Sequence, residues 1–480
     1  MTTITTDVLI VGDGVLGLFL AWELVEQGAG SVTIVAPGDR RGGASRASGA
    51  MLGCFAEISK DTLRTDAGRA KFEIGLGAHR MWPEVLASLT EFACDLPLHT
   101  VSDTHVILNT CGGELDSLNF HAMIDALEEY NEPWEEIDAD DIPGYNPRTD
   151  ARALRAIRLP HEGAVHSGHV LTVLDRHLFD RGVIRVAASA GAITTEGDRA
   201  TGVVLDNGES IAADTIVVAV GAASGELLRT ALPRHEIMPT FSGFGVAMIG
   251  RREFGEGFTS VVRSPNRSGA CGLHVVPLGE GLEYIGATNF VFAKPRYEGN
   301  IGVAKFIAEC AMQQLDEQTC FHSIAEVRTG NRPVTLDGFP LVGWSTVDGL
   351  YVLTGTYRDG FHSAPALARH VALEIRGEAG IIDPMFRPDR APLSTWTVEE
   401  AIDECVLHMA AGWFEARAIA PPEVSSVILH RMFREQAESV YKAIPRVMGL
   451  GPDLMIYLSG PHADEGRYTE IMRYLRRVSS

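Results

Sequence analysis

Residues 8–28 read VLIVGDGVLGLFLAWELVEQG, and no other stretch narrows the fold as much. The continuous apolar run from Thr6 to Val11 predicts a buried strand. Gly14 to Gln27 predicts a helix, with Leu16, Phe19 or Leu20, and Leu24 on one stripe. Val32–Val35 predicts a second strand. Strand, helix and strand in that order require parallel pairing, and so an α/β sheet. Gly12, Gly14 and Gly17 stand in the spacing GxGxxG between strand and helix. The first glycine permits the tight turn, the second lets backbone approach a pyrophosphate, and the third lets helix and strand pack closely. Free N–H groups at the helix start favour an anion there. A dinucleotide is therefore expected at Gly12, Gly14, Val15, Leu16 and Gly17; the alternative is a glycine-rich turn in an ordinary βαβ unit. Asp13 lies inside this turn, and a carboxylate facing a phosphate would be repelled. Its side chain is expected to point away, toward solvent. The second strand ends on Ala36, which cannot hold a ribose hydroxyl as an acid would.

The remaining pattern alternates. Residues 67–93 predict a helix, 102–110 a strand, and the Pro-, Gly-, Asp- and Arg-rich 140–165 a loop. A helix over His169–Asp180 is followed by a strand near Arg185–Val186. A hairpin pattern then runs through 192–211, turning at Asp206-Asn207-Gly208, with a buried strand at Thr215–Val220. Strand-like runs fill 244–290, a helix is expected over 301–314, a strand over 350–354 and a helix over 362–376. Residues 397–480 change character: Thr397 to Glu400 reads as a capping box, and apolar residues recur at 398, 402, 406, 409 and 413. Pro421-Pro422 breaks that helix, and 424–443 and 467–477 look helical again.

The bulk numbers exclude several function classes. A net charge of −22 over 480 residues repels nucleic acid and anionic membrane, so neither is expected as a partner. No apolar run is long enough to span a bilayer, and the opening MTTITT has no basic n-region, so no signal peptide is expected. Seven cysteines are scattered without a CxxC pair, which reads as reduced thiols in a cytoplasmic protein. No His, Asp and Glu grouping has metal-ligand spacing, so no metal is expected.

Five stretches together resemble the D-amino-acid oxidase and glycine oxidase family. GGASRASGAMLG (42–53) resembles its second flavin-contacting run, and ADTIVVAVGAAS (213–224) the strand whose terminal glycine passes near FAD. LHVVPLGEGLEYIGAT (273–288) is similar to the strand pair that walls the substrate site. GNRPVTLDGFPLVG (330–343) and LTGTYRDGFHSAPALARHVA (353–372) resemble the family's RP and YRNG segments. The resemblance spans residues 6 to about 380. It implies an α/β (α+β) fold: a Rossmann-like FAD-binding domain (1–95, 165–235, 325–395) interleaved with an antiparallel-sheet substrate domain (96–164, 236–324). The helical extension 396–480 is then an addition, since many relatives finish near the helix that ends at Arg376. The Gly12–Gly17 turn would hold the pyrophosphate of FAD, and Ala44, Ser45, Ser48, Gly49, Ala50, Met51, Ala192, Gly221, Arg332, Asp359, Gly360, Phe361 and His362 would contact the same cofactor. Some relatives attach flavin through a cysteine before the last strand. This chain has no cysteine between 321 and 404, so non-covalent FAD is expected.

The chemistry implied by the resemblance is oxidation of a C–N bond next to a carboxylate. A hydride passes to flavin N5, the imine is hydrolysed, and O2 reoxidises the flavin to give hydrogen peroxide. Such a reaction depends on orientation more than on a strong base. Arg332 and Arg358 fall on the family arginines, and a guanidinium fork suits a carboxylate. The alternatives are a salt bridge to Asp337 or a backbone cap for Arg332, and a domain-interface ion pair for Arg358. Tyr357 reads as a wall or core residue. His274 stands where relatives carry a tyrosine, Thr356 where they carry histidine, and His362-Ser363 where they carry an apolar pair. These changes point to a substrate larger or more polar than glycine or a simple D-amino acid; the alternative for each histidine singly is a satisfied wall residue. The expected substrate is a D-amino acid, glycine, or an N-substituted glycine or other secondary amine. Two alternatives stay open: a flavin dehydrogenase passing electrons from an amine or 2-hydroxy acid to an acceptor other than oxygen, and a flavoprotein subunit docked through the tail. Homo-oligomerisation is open as well. The tail's apolar stripe has to pack on something, and its own chain near the substrate entrance is the favoured place.

Overall fold

A computed structural model describes residues 4–233, 237–267 and 272–478. The apolar run at the N-terminus forms the strand Ile4–Val11 at the centre of an eight-stranded sheet. Val32–Ala36 and Ser210–Val218 pair with it in parallel on either side, Ile184–Ala187 continues beyond Val32–Ala36, and Leu350–Thr354 runs parallel to Ser210–Val218. A central parallel strand needs apolar cover on both faces. Val8 and Ile10 point into a cluster formed with the helices Val15–Glu26, Asp66–Ala93, Ser167–Asp180 and Ala364–Ile375.

Leu9 and Val11 point the other way, and the cluster they enter contains the C-terminal helices. Ala401, Ile402, Cys405, Val440, Tyr441, Leu454, Met455 and Leu475 join Leu9, Val218, Val352 and Leu341 in one continuous core. The tail's apolar face therefore packs on its own chain, in one core shared with residues of the central sheet. Its four helices are Val398–Glu415, Ser426–Ala443, Pro452–Ser459 and Glu465–Val478. The Thr397 capping box is present, with the side chain of Glu400 returning to the Thr397 backbone.

The second sheet has nine strands. Its spine is Thr240–Arg251 paired antiparallel with Ser323–Thr335 over nearly the whole length of both. Leu282–Gly286 and His274–Gly279 follow, then Val261–Arg263, Thr104–Leu108, Arg155–Leu159 and Glu135–Ile137. Two stretches differ from the sequence expectation. Residues 140–165 contain the strands Arg155–Leu159 and Gly163–Val165 rather than loop alone. The arginines that made this stretch look unstructured lie on the partly exposed side, where Arg155 pairs with Glu136 and Arg158 with Asp103, while Ala156, Ile157 and Leu159 are buried. The helix Glu114–Glu129 was hidden by its mixed composition. Six cysteines are free thiols, and Cys271 lies outside the described residues. No described helix is long and apolar enough to cross a membrane.

Candidate active site

A groove of about 530 Å³ runs from the Gly12 turn to the Thr356–Phe361 segment. The turn has the features its spacing predicts. Gly12 has φ +122°, and a Cβ there would collide with the Ala219 carbonyl; a Cβ at Gly17 would overlap the Gly12 carbonyl. The helix Val15–Glu26 begins at Gly14 without a side-chain cap, so its first turn offers N–H groups and the positive dipole end to the groove. The Val15 N–H is partnered by the Ser45 hydroxyl at 3.0 Å. This cradle, open where a side chain would fill it, fits a pyrophosphate.

Asp13 departs from expectation. Its carboxylate is buried, not solvent-facing. It sits 2.9 Å from Arg40 Nε and 2.7 Å from Arg185 Nη2, and both arginines also pair with Asp175. Two cations next to it remove the conflict with a phosphate in the turn. The ion pairs tie the loop after the second strand, where Ala36 stands, to the strand Ile184–Ala187.

Of the other positions expected at the cofactor, Ala44, Ser45, Ser48, Gly221, Arg332, Gly360 and Phe361 line the groove. Gly49, Ala50 and Met51 sit behind that wall: Ala50 is in the helix-side core, and Met51 pairs with Ala164. Ala192 is paired with Val204, and Ser189–Gly191 form the groove wall in its place. Asp359 is 2.9 Å from Lys71 Nζ. It and His362 line a second chamber of about 280 Å³. His362 Nε2 lies 2.8 Å from the Gly75 carbonyl, and burial pushes its pKa down to about 4.

At the far end of the groove the two family arginines separate in role. Arg332 Nη1 donates to the Thr288 carbonyl at 3.1 Å and to Asn289 Oδ1 at 3.3 Å. Among the described residues no carboxylate pairs with it; Asp337, the partner weighed from sequence, is taken by Arg390. Arg358 lies 3.6 Å from Asp453 of the tail and donates to the Arg267 carbonyl at 2.9 Å. Tyr357 donates its hydroxyl proton to Asp453 and accepts from Asn289. Its φ is +54°, a strained conformation for a non-glycine residue. His274 stacks on Tyr284 with centroids 5.6 Å apart, and burial pushes its pKa down to about 3. It lies behind Gly49, outside the groove lining, while Tyr284 lines the groove and donates to the Ala47 carbonyl at 3.1 Å.

Several participants escaped the sequence reading. Gly243 and Gly245 alternate on one face of Thr240–Arg251. A Cβ on Gly245 would strike the Arg332 guanidinium, and one on Gly243 would crowd Asn289 and Tyr357. Paired glycines inside a strand signal close approach, so GFG at 243–245 was the available clue. Asn331 stitches the flavin-contacting run in place, donating to the carbonyls of Gly42 at 2.9 Å and Arg296 at 2.7 Å. Glu57 is held down to about 2 against its burial by the charge and hydrogen bond of Arg263. Cys54, His79 and Glu162 bring ligand-type atoms within 4.8 Å of one another. Glu162 is, however, already engaged by the backbone N–H groups of Cys54, Phe55 and Ala56 at 2.7, 2.6 and 3.0 Å, which accounts for a buried carboxylate there.

The chain is 27% identical over 388 residues to a glycine oxidase of Pseudomonas aeruginosa, covering 78% of this chain and 96% of that one. Its fold matches glycine oxidase from Geobacillus kaustophilus with a TM-score of 0.69 at 20% identity, covering 81% of this chain and 100% of the other. It also matches iminodiacetate oxidase from Chelativorans sp. BNC1, with a TM-score of 0.67 at 18% identity over 80% of this chain and 100% of that one. Residues 7–373, from the glycine turn through the helix after Gly360, match the family described as FAD dependent oxidoreductase. With the pyrophosphate cradle built as that cofactor requires, the chain belongs to the FAD dependent oxidoreductase (DAO) family, and FAD is its cofactor.

Proposed function

We propose that the chain oxidises the C–N bond next to the carboxylate of a small amino acid or N-substituted glycine. The observation that carries this reading is Arg332. A half-buried guanidinium lines the cofactor groove with neutral oxygens as its partners and no described carboxylate to neutralise it. Such a group is a ready site for a substrate carboxylate. The similarity to glycine oxidase and iminodiacetate oxidase supports the same substrate class.

FAD, held non-covalently, would supply the acceptor for a hydride from the substrate carbon, with O2 as the final electron acceptor and hydrogen peroxide as product. The chain's own residues would do the rest by placement. Arg332 fixes the carboxylate end and so aims one C–H bond across the groove. The uncapped first turn of Val15–Glu26 holds the pyrophosphate. Gly360 and Phe361, just before the helix Ala364–Ile375, line the groove, and the positive end of that helix would favour the negative charge that develops on reduction. His274 stays neutral at ordinary pH because burial holds it at about 3, so it adds no second cation beside Arg332. Tyr284 and Tyr357 close the walls and limit water.

The test is anaerobic bleaching of the flavin by a panel of glycine, D-amino acids and N-substituted glycines, with peroxide assayed in air. Arg332→Ala should retain FAD and slow bleaching at least about a hundredfold, since a charge-assisted bidentate contact is worth roughly 2–3 kcal/mol. Unchanged kinetics in that variant would overturn the assignment. Bleaching without peroxide would make the enzyme a dehydrogenase.

A further inference from the structure

The family match stops at residue 373, yet the site it describes is finished by residues beyond it. Asp453 is in the first turn of the helix Pro452–Ser459. Its Oδ2 accepts the Tyr357 hydroxyl and lies 3.6 Å from Arg358 Nη2. Tyr357 accepts in turn from Asn289, whose Oδ1 accepts from Arg332. A continuous chain of contacts thus runs from the tail to the arginine assigned to the substrate. The second contact of Arg358 depends on the tail as well. It donates to the Arg267 carbonyl, and Arg267 is fully buried between Asp116 and Glu415, the latter on Val398–Glu415. The Asp453 and Arg358 side chains are only 12% and 15% exposed, so their attraction is weakly screened. Thr356, Tyr357 and Arg358 form the wall common to the cofactor groove and the second chamber. Asp453, Glu404 and His408 of the tail line that chamber.

We propose that Asp453 is a positioning and specificity-determining residue: it fixes the Tyr357 hydroxyl and offsets the Arg358 charge, leaving Arg332 as the cation for a single substrate carboxylate. The inference rests on the reading of Arg332 above. The substrate class that follows is an amine with one carboxylate and a neutral N-substituent or side chain. A second carboxylate directed at Arg358 would meet Asp453 beside it and be repelled.

The experiment uses the full-length, FAD-loaded protein and compares sarcosine, with one carboxylate, against iminodiacetate, with two. Wild type should favour sarcosine. Asp453→Asn should keep FAD content and melting temperature, and raise the iminodiacetate-to-sarcosine ratio of kcat/KM by about tenfold or more, mostly through KM. Perturbation of the flavin spectrum by acetate and by malonate gives the same comparison without turnover, and malonate should gain affinity in the variant. Glu399→Gln, a tail carboxylate paired at the surface with Arg434 and Arg446, should leave the ratio unchanged. Asp453→Glu keeps the charge and should stay close to wild type in the ratio. If Asp453→Asn fails to fold, Asp453→Glu and Tyr357→Phe carry the test: Tyr357→Phe loses the hydroxyl contact with the charge pair intact, and should lower kcat without changing the ratio. An unchanged ratio in Asp453→Asn, or an equal loss on both substrates, overturns the inference while Arg332 stands. If no amine carboxylate bleaches wild-type flavin, the reading of Arg332 fails and takes the inference with it.

Discussion

The Gly12–Gly17 turn lines the cofactor groove, the C-terminal helices line the chamber behind the Thr356–Arg358 wall, and the two work by different means. The turn acts through backbone: glycines that admit no side chain and N–H groups left uncapped. The tail acts through side chains, with an apolar face that joins the core of the central sheet and carboxylates that reach Arg267, Tyr357 and Arg358. The turn is a local device, specified by neighbours in sequence. The tail is a long-range one, and its effect on the site is inseparable from its effect on the core.

Deleting residues 396–480 breaks the comparison most severely. It removes the tail's share of the core that also holds Leu9, Val218 and Val352 and bares the apolar residues the tail packs on. The expected result is loss of soluble, cooperatively unfolding protein, read from yield and a thermal melt. A truncated chain that folds and binds FAD would restore the tail to a removable unit. Gly17→Val, in contrast, should leave the tail side intact. It drives a branched side chain into the Gly12 carbonyl, so the protein should purify without yellow flavin yet remain folded by circular dichroism.

Two charge-removing variants sharpen the contrast. Glu415→Ala leaves fully buried Arg267 with Asp116 as its one carboxylate partner among the described residues. Breaking a buried pair costs about 3–5 kcal/mol, measurable by urea titration. Asp13→Asn should cost less, about 1–3 kcal/mol. It keeps the shape while weakening the ties to Arg40 and Arg185, which retain Asp175, and FAD affinity should fall because the turn is held less firmly. The most gradual effect, small per pH unit, is set by pH. Burial holds His408 of the tail at about 4, against 6.5 when unfolded. Between those values the unfolded chain binds the extra proton, so stability falls on acidification by up to about 1.4 kcal/mol per pH unit from this residue. His408→Gln should remove that part of the slope between pH 6.5 and 4, whereas His274→Gln should remove a part extending to about 3.

What could be read from sequence follows the same division. The turn was legible because its spacing, strand and helix all fall within residues 4–36. Arg332 and Arg358 were legible as motif positions, but their difference was not. It depends on Asp453, which meets Tyr357 across 96 residues of sequence, and no periodicity reports such a contact. Asp13 was misread because a lone carboxylate in a phosphate loop looks anomalous until Arg185, 172 residues away, is brought beside it. The helix Pro452–Ser459 was missed because eight residues give too little pattern to register.

The position of Asp453 also orders events in time. Synthesis delivers residues 7–373, with the whole family motif set, before the helix that carries Asp453. Segments that emerge first can begin to fold first, and the cofactor cradle is among them. The charge balance beside Tyr357 and Arg358 is completed only when the later helix docks. A nascent chain could thus acquire its cofactor before its substrate discrimination, and the docking of the tail helices would mark the moment at which both are present.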